Sequence, residues 1–221
     1  VDVYKTEEEQ FDTIKKWIKD NGTGVAIVIF VVAAFFGGRS YWQSHNQANF
    51  ETTYVEFEQA STLRDGALVE GADEKAFKAY INAVDQLKND QSKHALTDLA
   101  VLKMAADFAD KGRWDDAEAE LRWLQQNEVV PALQSLVALR LGQVLFQKNQ
   151  LKEALSVLNS ASAGDDDYLP RIKELEGDIL LEMKSQPKAL KAYRAAAKSN
   201  SEKGLSSPAL QWKIDDLAGV N

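Results

Sequence analysis

Cysteine is absent from the 221 residues, which removes disulfides and thiolate-held metals from the ways this chain is stabilised. That absence is neutral about compartment, because an exported domain with a large helical core needs no bridges. Histidine is almost as scarce. His45 and His94 are the only two, neither stands in an HExxH or comparable metal pattern, and each reads as a surface or helix-end residue. No GxxxxGKS/T loop, GxGxxG turn or GxSxG elbow occurs. With no assembled acid, base or nucleophile and no cofactor motif, the reading is of a protein that is not an enzyme. Proline (four) and glycine (twelve) are few and no stretch reads convincingly as strand. Ala, Leu, Lys, Glu and Gln dominate instead, as in an all-α chain.

Basic excess is also missing. Beyond Ser44 the chain holds 28 acids against 21 bases, an acidic balance that argues against nucleic acid as a partner. Asp165-Asp166-Asp167 lacks the alternating ligands and closing Glu of a calcium loop, and reads as a solvated linker before the helix that Pro170 opens.

Long apolar runs are missing except for one. Residues 25–36 are all apolar, and residues 21–38 carry no charge. As a helix, eighteen residues reach about 27 Å, close to the ~30 Å hydrocarbon core of a bilayer. Trp17 on one side and Tyr41-Trp42 on the other lie at headgroup depth. The expectation is a transmembrane helix through the lipid bilayer at 22–42, with 1–21 as a short cytoplasmic segment and 43–221 as an exported helical domain. Lys15, Lys16 and Lys19 precede the span, whereas Arg39 stands alone after it until Arg64, which keeps the N-terminus in the cytoplasm.

A buried core helix or strand is the alternative, but the run has no polar face and no strands to pair with. A cleaved signal peptide is another, with Val32-Ala33-Ala34 as its site; against it, the head is long and acidic (Glu7, Glu8, Glu9) and the run continues through Phe35-Phe36. In the head, Phe11, Ile14, Trp17 and Ile18 fall at helical spacing, either as an amphipathic helix on the inner surface or as a continuation of the span.

After the span, the pattern predicts a long helix over 45–68 carrying Phe50, Tyr54, Phe57 and Leu63, punctuated by Gly66 and Gly71. Asp73 then caps a helix over 74–88 with the stripe Phe77, Tyr80, Ile81, Val84 and Leu87, closed by Asn89-Asp90. From His94 onward a small residue is followed twelve positions later by alanine, three times: Ala105 and Ala117, Gly142 and Ala154, Gly177 and Ala189, recurring at 37 and 35 residues. Small residues let two antiparallel helices approach closely. Gly112 and Asn149 supply residues able to end a helix in the left-handed conformation.

This spacing resembles the tetratricopeptide repeat. The first unit offers Val101, Met104-Ala105, Phe108, Trp114, Ala117 and Leu121; the second offers Ala138, Leu141-Gly142, Leu145, Leu151, Ala154 and Leu158. In the third, Gly177, Ala189 and Tyr193 match and Leu180 is an apolar stand-in for the aromatic, but Lys173 and Glu176 stand at apolar places and Lys184 where Gly or Asn is expected. Ser207-Pro208 opens a short helix through Leu217, with Leu210, Trp212 and Ile214, as a cap for the stack. The alternative is a helical bundle with accidental periodicity. The fold class expected is all-α, a single N-terminal transmembrane helix followed by a repeat solenoid.

By analogy with the repeat family, first helices line a concave groove at Leu99, Leu102, Ala106, Ala109, Leu136, Leu139, Gln143 and Phe146, with Arg171, Glu174 and Asp178 farther on. The near part is apolar, lacks the Lys and Asn pairs that grip a carboxylate, and suits an amphipathic helix or an extended apolar segment. Equally, neighbouring helices, the terminal cap included, could fill it.

Taken in order, the head ending in Lys15-Lys16-Trp17-Ile18-Lys19-Asp20-Asn21-Gly22, the Gly-Arg-Ser-Tyr-Trp stretch at 38–42, the degenerate repeats and Gln211-Trp212-Lys213-Ile214-Asp215-Asp216-Leu217 resemble the YfgM family, the ancillary subunits of the bacterial SecYEG translocon. The resemblance spans nearly the whole chain. It implies a bacterial inner-membrane protein with its repeats in the periplasm, acting beside the SecYEG translocon and a PpiD-like periplasmic chaperone in handling newly exported client proteins. Two other classes stay open on the residues alone: an envelope-assembly scaffold, and a regulatory anchor working through the cytoplasmic head.

Overall fold

The computed structural model describes residues 49–127, 129–161 and 167–219, together with 11, 15, 34–36, 38, 39 and 47, and all regular structure among them is helical. The chain forms two compact units, 1–52 and 53–221. In the first, Ala34, Phe35, Phe36, Gly38 and Arg39 are helical, and the Phe35 and Phe36 rings meet edge to face at 5.6 Å. Most of the expected span at 22–42, the head's apolar residues other than Phe11, and His45 lie outside the described residues. Among the described residues no helix is long and apolar enough to cross a membrane.

The second unit is a series of helices: α1, helical through 53–68, α2 (Glu74–Asp90), α3 (Ala95–Asp110), α4 (Trp114–Gln126), α5 (Gln134–Gln147), α6 (Leu151–Ala161), α7 (Leu169–Glu182), α8 (Gln186–Glu202) and α9 (Pro208–Ala218). A 3₁₀ turn at Pro131–Leu133 leads into α5. α1 buries Thr53, Phe57, Ala60 and Ala67, a stripe at helical spacing. In α2, Asp73 accepts the Ala76 N–H at 2.8 Å, and Phe77, Tyr80, Val84 and Leu87 are buried with Ile81 packed beside them. The helix runs through Asn89 and Asp90, which were expected to close it, and ends where the Gln91 N–H donates to the Leu87 carbonyl at 2.8 Å. His94 caps α3, its Nδ1 accepting the Leu96 N–H at 3.2 Å.

Two buried carboxylates hold this first part together. Asp107 on α3 is 2% exposed and receives both Nε and Nη2 of Arg64 from α1, each at 2.7 Å, a bidentate fork that fixes the two helices in register. Asp98 accepts the Val130 N–H at 3.0 Å, pinning the link between α4 and α5. Burial pushes the Asp98 carboxyl above its usual range, against that bond and the nearby His94.

The helical hairpins α3–α4, α5–α6 and α7–α8 share one turn. Seven residues after each small residue stands one with positive φ: Gly112 (71°), Asn149 (59°) and Lys184 (59°). The following N–H then reaches back five residues, Arg113 to Phe108, Gln150 to Leu145 and Ser185 to Leu180, at 2.8–2.9 Å, the bond that terminates a helix around a left-handed residue. The small residues face large ones. A Cβ on Gly142 would lie 2.7 Å from Leu158 Cδ2, and one on Gly177 would lie 2.3 Å from Tyr193 Cε1. Leu121 stands at the matching place in the first hairpin, also buried.

The third hairpin thus pairs as the others do, despite its charged residues. Glu176 is buried and takes both bonds from Lys173 Nζ, at 3.0 and 2.9 Å, so the two satisfy one another within a single turn. One apolar core runs from α1 to α7. A smaller cluster joins α8 to α9 through Ala189, Tyr193, Ala196, Leu210, Ile214 and Leu217. Ser207 caps α9 as expected, its Oγ accepting the Leu210 N–H at 3.3 Å, while Trp212 faces outward at 72% exposure.

Candidate protein-binding cleft

α3 and α5 are the first helices of consecutive hairpins, and with Trp114 and Leu121 of α4 and Leu175 of α7 they line a shared cleft of about 440 Å³. Its floor is apolar: Leu102, Ala105, Leu121, Val144 and Leu175 line it and are buried. Ala106, Ala109 and Asp110 form the α3 wall, Arg140, Gln143, Phe146 and Gln147 the α5 wall, and Trp114 at the start of α4 closes one side. Arg140 Nη1 donates to Gln143 Oε1 at 3.1 Å.

Five of the eight groove residues expected from the repeat pattern come together here: Leu102, Ala106, Ala109, Gln143 and Phe146. The other three lie outside the cleft lining. Leu99 and Leu136 are half-buried against the core, and Leu139 is part of it at 3% exposure. The lining is also less apolar than expected, since Asp110, Arg140 and Gln147 belong to it. Extending each stripe by one turn would have found them: Arg140 precedes Gln143 by three, while Asp110 follows Ala106, and Gln147 follows Gln143, by four.

At the third hairpin the surface is covered by the chain's own cap. Lys213 on α9 donates to Glu174 Oε1 at 2.8 Å and to Asp178 Oδ1 at 2.7 Å, and the Tyr193 hydroxyl donates to the same Asp178 oxygen at 2.8 Å. Burial alone would lower the Lys213 pKa; its bonds to the two carboxylates outweigh that and raise it. Burial first, and Asp178 second, push the Tyr193 phenol well above its ordinary value. Arg171 remains exposed. Self-coverage therefore applies at α7, whereas the α3–α5 cleft is open.

Charge also cross-links the first two hairpins. Glu118 on α4 accepts from Lys148 at 2.7 Å and from Arg122 at 2.7 Å, and Arg122 also reaches Glu153 on α6 at 2.6 Å. Among the described residues no group of three or more His, Cys, Asp or Glu is placed to hold a metal ion.

Comparison with known proteins agrees with this architecture. The model of the tetratricopeptide repeat-like domain family matches residues 15–219. The ancillary SecYEG translocon subunit of Haemophilus influenzae is 33% identical over 97% of this chain and 99% of its own length. Those of Neisseria gonorrhoeae and Escherichia coli are 28% and 27% identical, over 96% and 99% of this chain and 97% and 100% of theirs. The crystal structure of MamA protein is similar in fold, with a TM-score of 0.53 at 17% identity, over 76% of this chain and 87% of that one. Spacing, turn geometry and full-length similarity together place the chain in the family of ancillary SecYEG translocon subunits, with a tetratricopeptide repeat-like body.

Proposed function

We propose that this chain is a membrane-anchored binding subunit of the SecYEG translocon, holding its repeats in the periplasm and using the α3–α5 cleft to contact a PpiD-like periplasmic chaperone or newly exported protein clients. The open apolar cleft carries the reading: a surface of that kind, lined by consecutive repeats, suits a segment of another protein better than a small polar substrate. The names of the relatives supply the partner, and their near-complete overlap with this chain supports carrying it over.

The anchor is the transmembrane helix at 22–42. Its length, its aromatic flanks and the lysines before it support a single pass with the N-terminus in the cytoplasm, and Phe35 and Phe36, each 64% exposed, suit contact with lipid. Tethering then raises the effective concentration of the repeats near any partner that is itself in the membrane. No chemistry is needed for this role; burial at about 25 cal/mol per Å² of apolar surface holds the bound segment.

Leu102 and Leu139, at 8% and 3% exposure, are too deep for a charge to test the cleft without unfolding the helices. Ala106 is exposed and Phe146 half-buried, so Ala106→Asp with Phe146→Asp is the better variant. Loss of co-purification with SecYEG at unchanged helicity is expected; retained co-purification removes the cleft from the mechanism. Protease added to intact spheroplasts should digest the repeats, and their protection there would overturn the topology.

A further inference from the structure

We propose that the cleft selects a helical segment with opposite charges two turns apart, an acid at one end and a base at the other, with apolar side chains between them. This rests on the cleft being a binding site, as argued above, and adds the chemistry of its occupant. Arg140 and Asp110 carry the argument. In repeat register Asp110 stands level with Gln147, which lies seven residues beyond Arg140 on α5, about 10 Å along a helix axis. The guanidinium and the carboxylate therefore mark opposite ends of one apolar floor.

Both residues are exposed, and among the described residues neither is held in an ion pair; Arg140 bonds to the neutral amide of Gln143. Elsewhere on the same hairpins Arg122 and Lys148 are each bonded to two carboxylates. A partner's carboxylate is thus the charge that Arg140 lacks, and a partner's ammonium or guanidinium the one that Asp110 lacks. Side chains seven apart on a helix share a face, so one helical segment meets both while its intervening residues enter the floor. Ala106 and Ala109 carry only a methyl, which lets a helix backbone lie close to α3.

The test uses the full chain in detergent and labelled Ala/Leu-based helical peptides of about twenty residues, long enough to hold a helix. They differ at two positions seven apart, carrying Glu and Lys, Glu and Glu, or Lys and Lys; a fourth repeats the first with proline midway. The Glu/Lys peptide should bind about tenfold tighter than either like-charged one at low salt, a gap that narrows as salt rises. Asp110→Lys should move the preference to the Glu/Glu peptide, and Arg140→Glu to the Lys/Lys peptide. Equal binding of the three overturns charge selection. In that event, loss of binding in Ala106→Asp leaves the cleft reading standing, and persistence removes both. Undiminished binding of the proline peptide shows an extended occupant and overturns the helical one. No binding by any peptide also overturns the proposal, and the co-purification experiment then decides the cleft separately.

Discussion

In α5–α6 the first helix meets the second through Gly142 and Leu158, and its inward positions Ala138 and Leu141 are apolar; in α7–α8 the same places hold Gly177, Tyr193, Lys173 and Glu176. The turns differ likewise, with Asn149 in one and Lys184 in the other, yet both adopt φ 59°. What the two hairpins share is a missing Cβ where the helices touch and a left-handed residue seven positions on. Helix contact and helix termination are local steric conditions, so they tolerate a change of chemistry around them. Charged residues at the inward positions are accommodated because they neutralise each other within one turn.

The sharpest way to break this likeness is to supply the missing Cβ. Gly177→Ala should destabilise by about 2 kcal/mol and Gly142→Ala by no more than about 1 kcal/mol, read from denaturant midpoints at constant slope. Overpacking costs about 1–3 kcal/mol, against roughly 1 kcal/mol of helix propensity gained. The asymmetry comes from the obstacle: the Tyr193 ring is rigid and its hydroxyl is bonded to Asp178, whereas Leu158 can change rotamer. Equal costs would mean that the two contacts are alike after all.

Next in size is the ion pair. Lys173→Ala alone should cost about 1–2 kcal/mol, because it takes two charge-assisted hydrogen bonds from a buried carboxylate; Lys173→Ala with Glu176→Leu, which copies the second hairpin, should cost less. Thermal midpoints of the two variants check this, and a double variant as unstable as the single would show that the third hairpin depends on its charges.

The smallest effect belongs to the turn. Lys184→Gly should stabilise by about 0.5 kcal/mol, since a non-glycine residue at positive φ carries a strain that glycine does not. A loss of stability would show that the Lys184 side chain contributes something beyond its backbone.

The three hairpins, the turns at Gly112 and Asn149 and the caps at Asp73 and Ser207 are legible because each follows from residues close in sequence. The third hairpin was harder to read: lysine rarely adopts positive φ, and nothing in the spelling of 173–176 says that Lys173 will fold onto Glu176. The cleft was legible by half. Along α5, Val137, Ala138, Leu139, Leu141, Gly142, Val144 and Leu145 are all buried, so the helix is apolar on most sides and periodicity cannot tell core from groove. Analogy with the repeat family alone sets Leu139 in the groove, and Arg140, a polar residue at its edge, falls outside the expected stripe. The expected anchor at 22–42 rests on the sequence, because most of it lies outside the described residues.

The α8–α9 cluster stands apart from the main core, and contacts in a stacked-repeat architecture pass only between neighbours. Opening of that end breaks few of the interactions beneath α3 and α5. Amide hydrogens in α9 should accordingly exchange by a cheaper, local route than those in the first two hairpins, so the tail of the stack can breathe while the α3–α5 cleft keeps its shape.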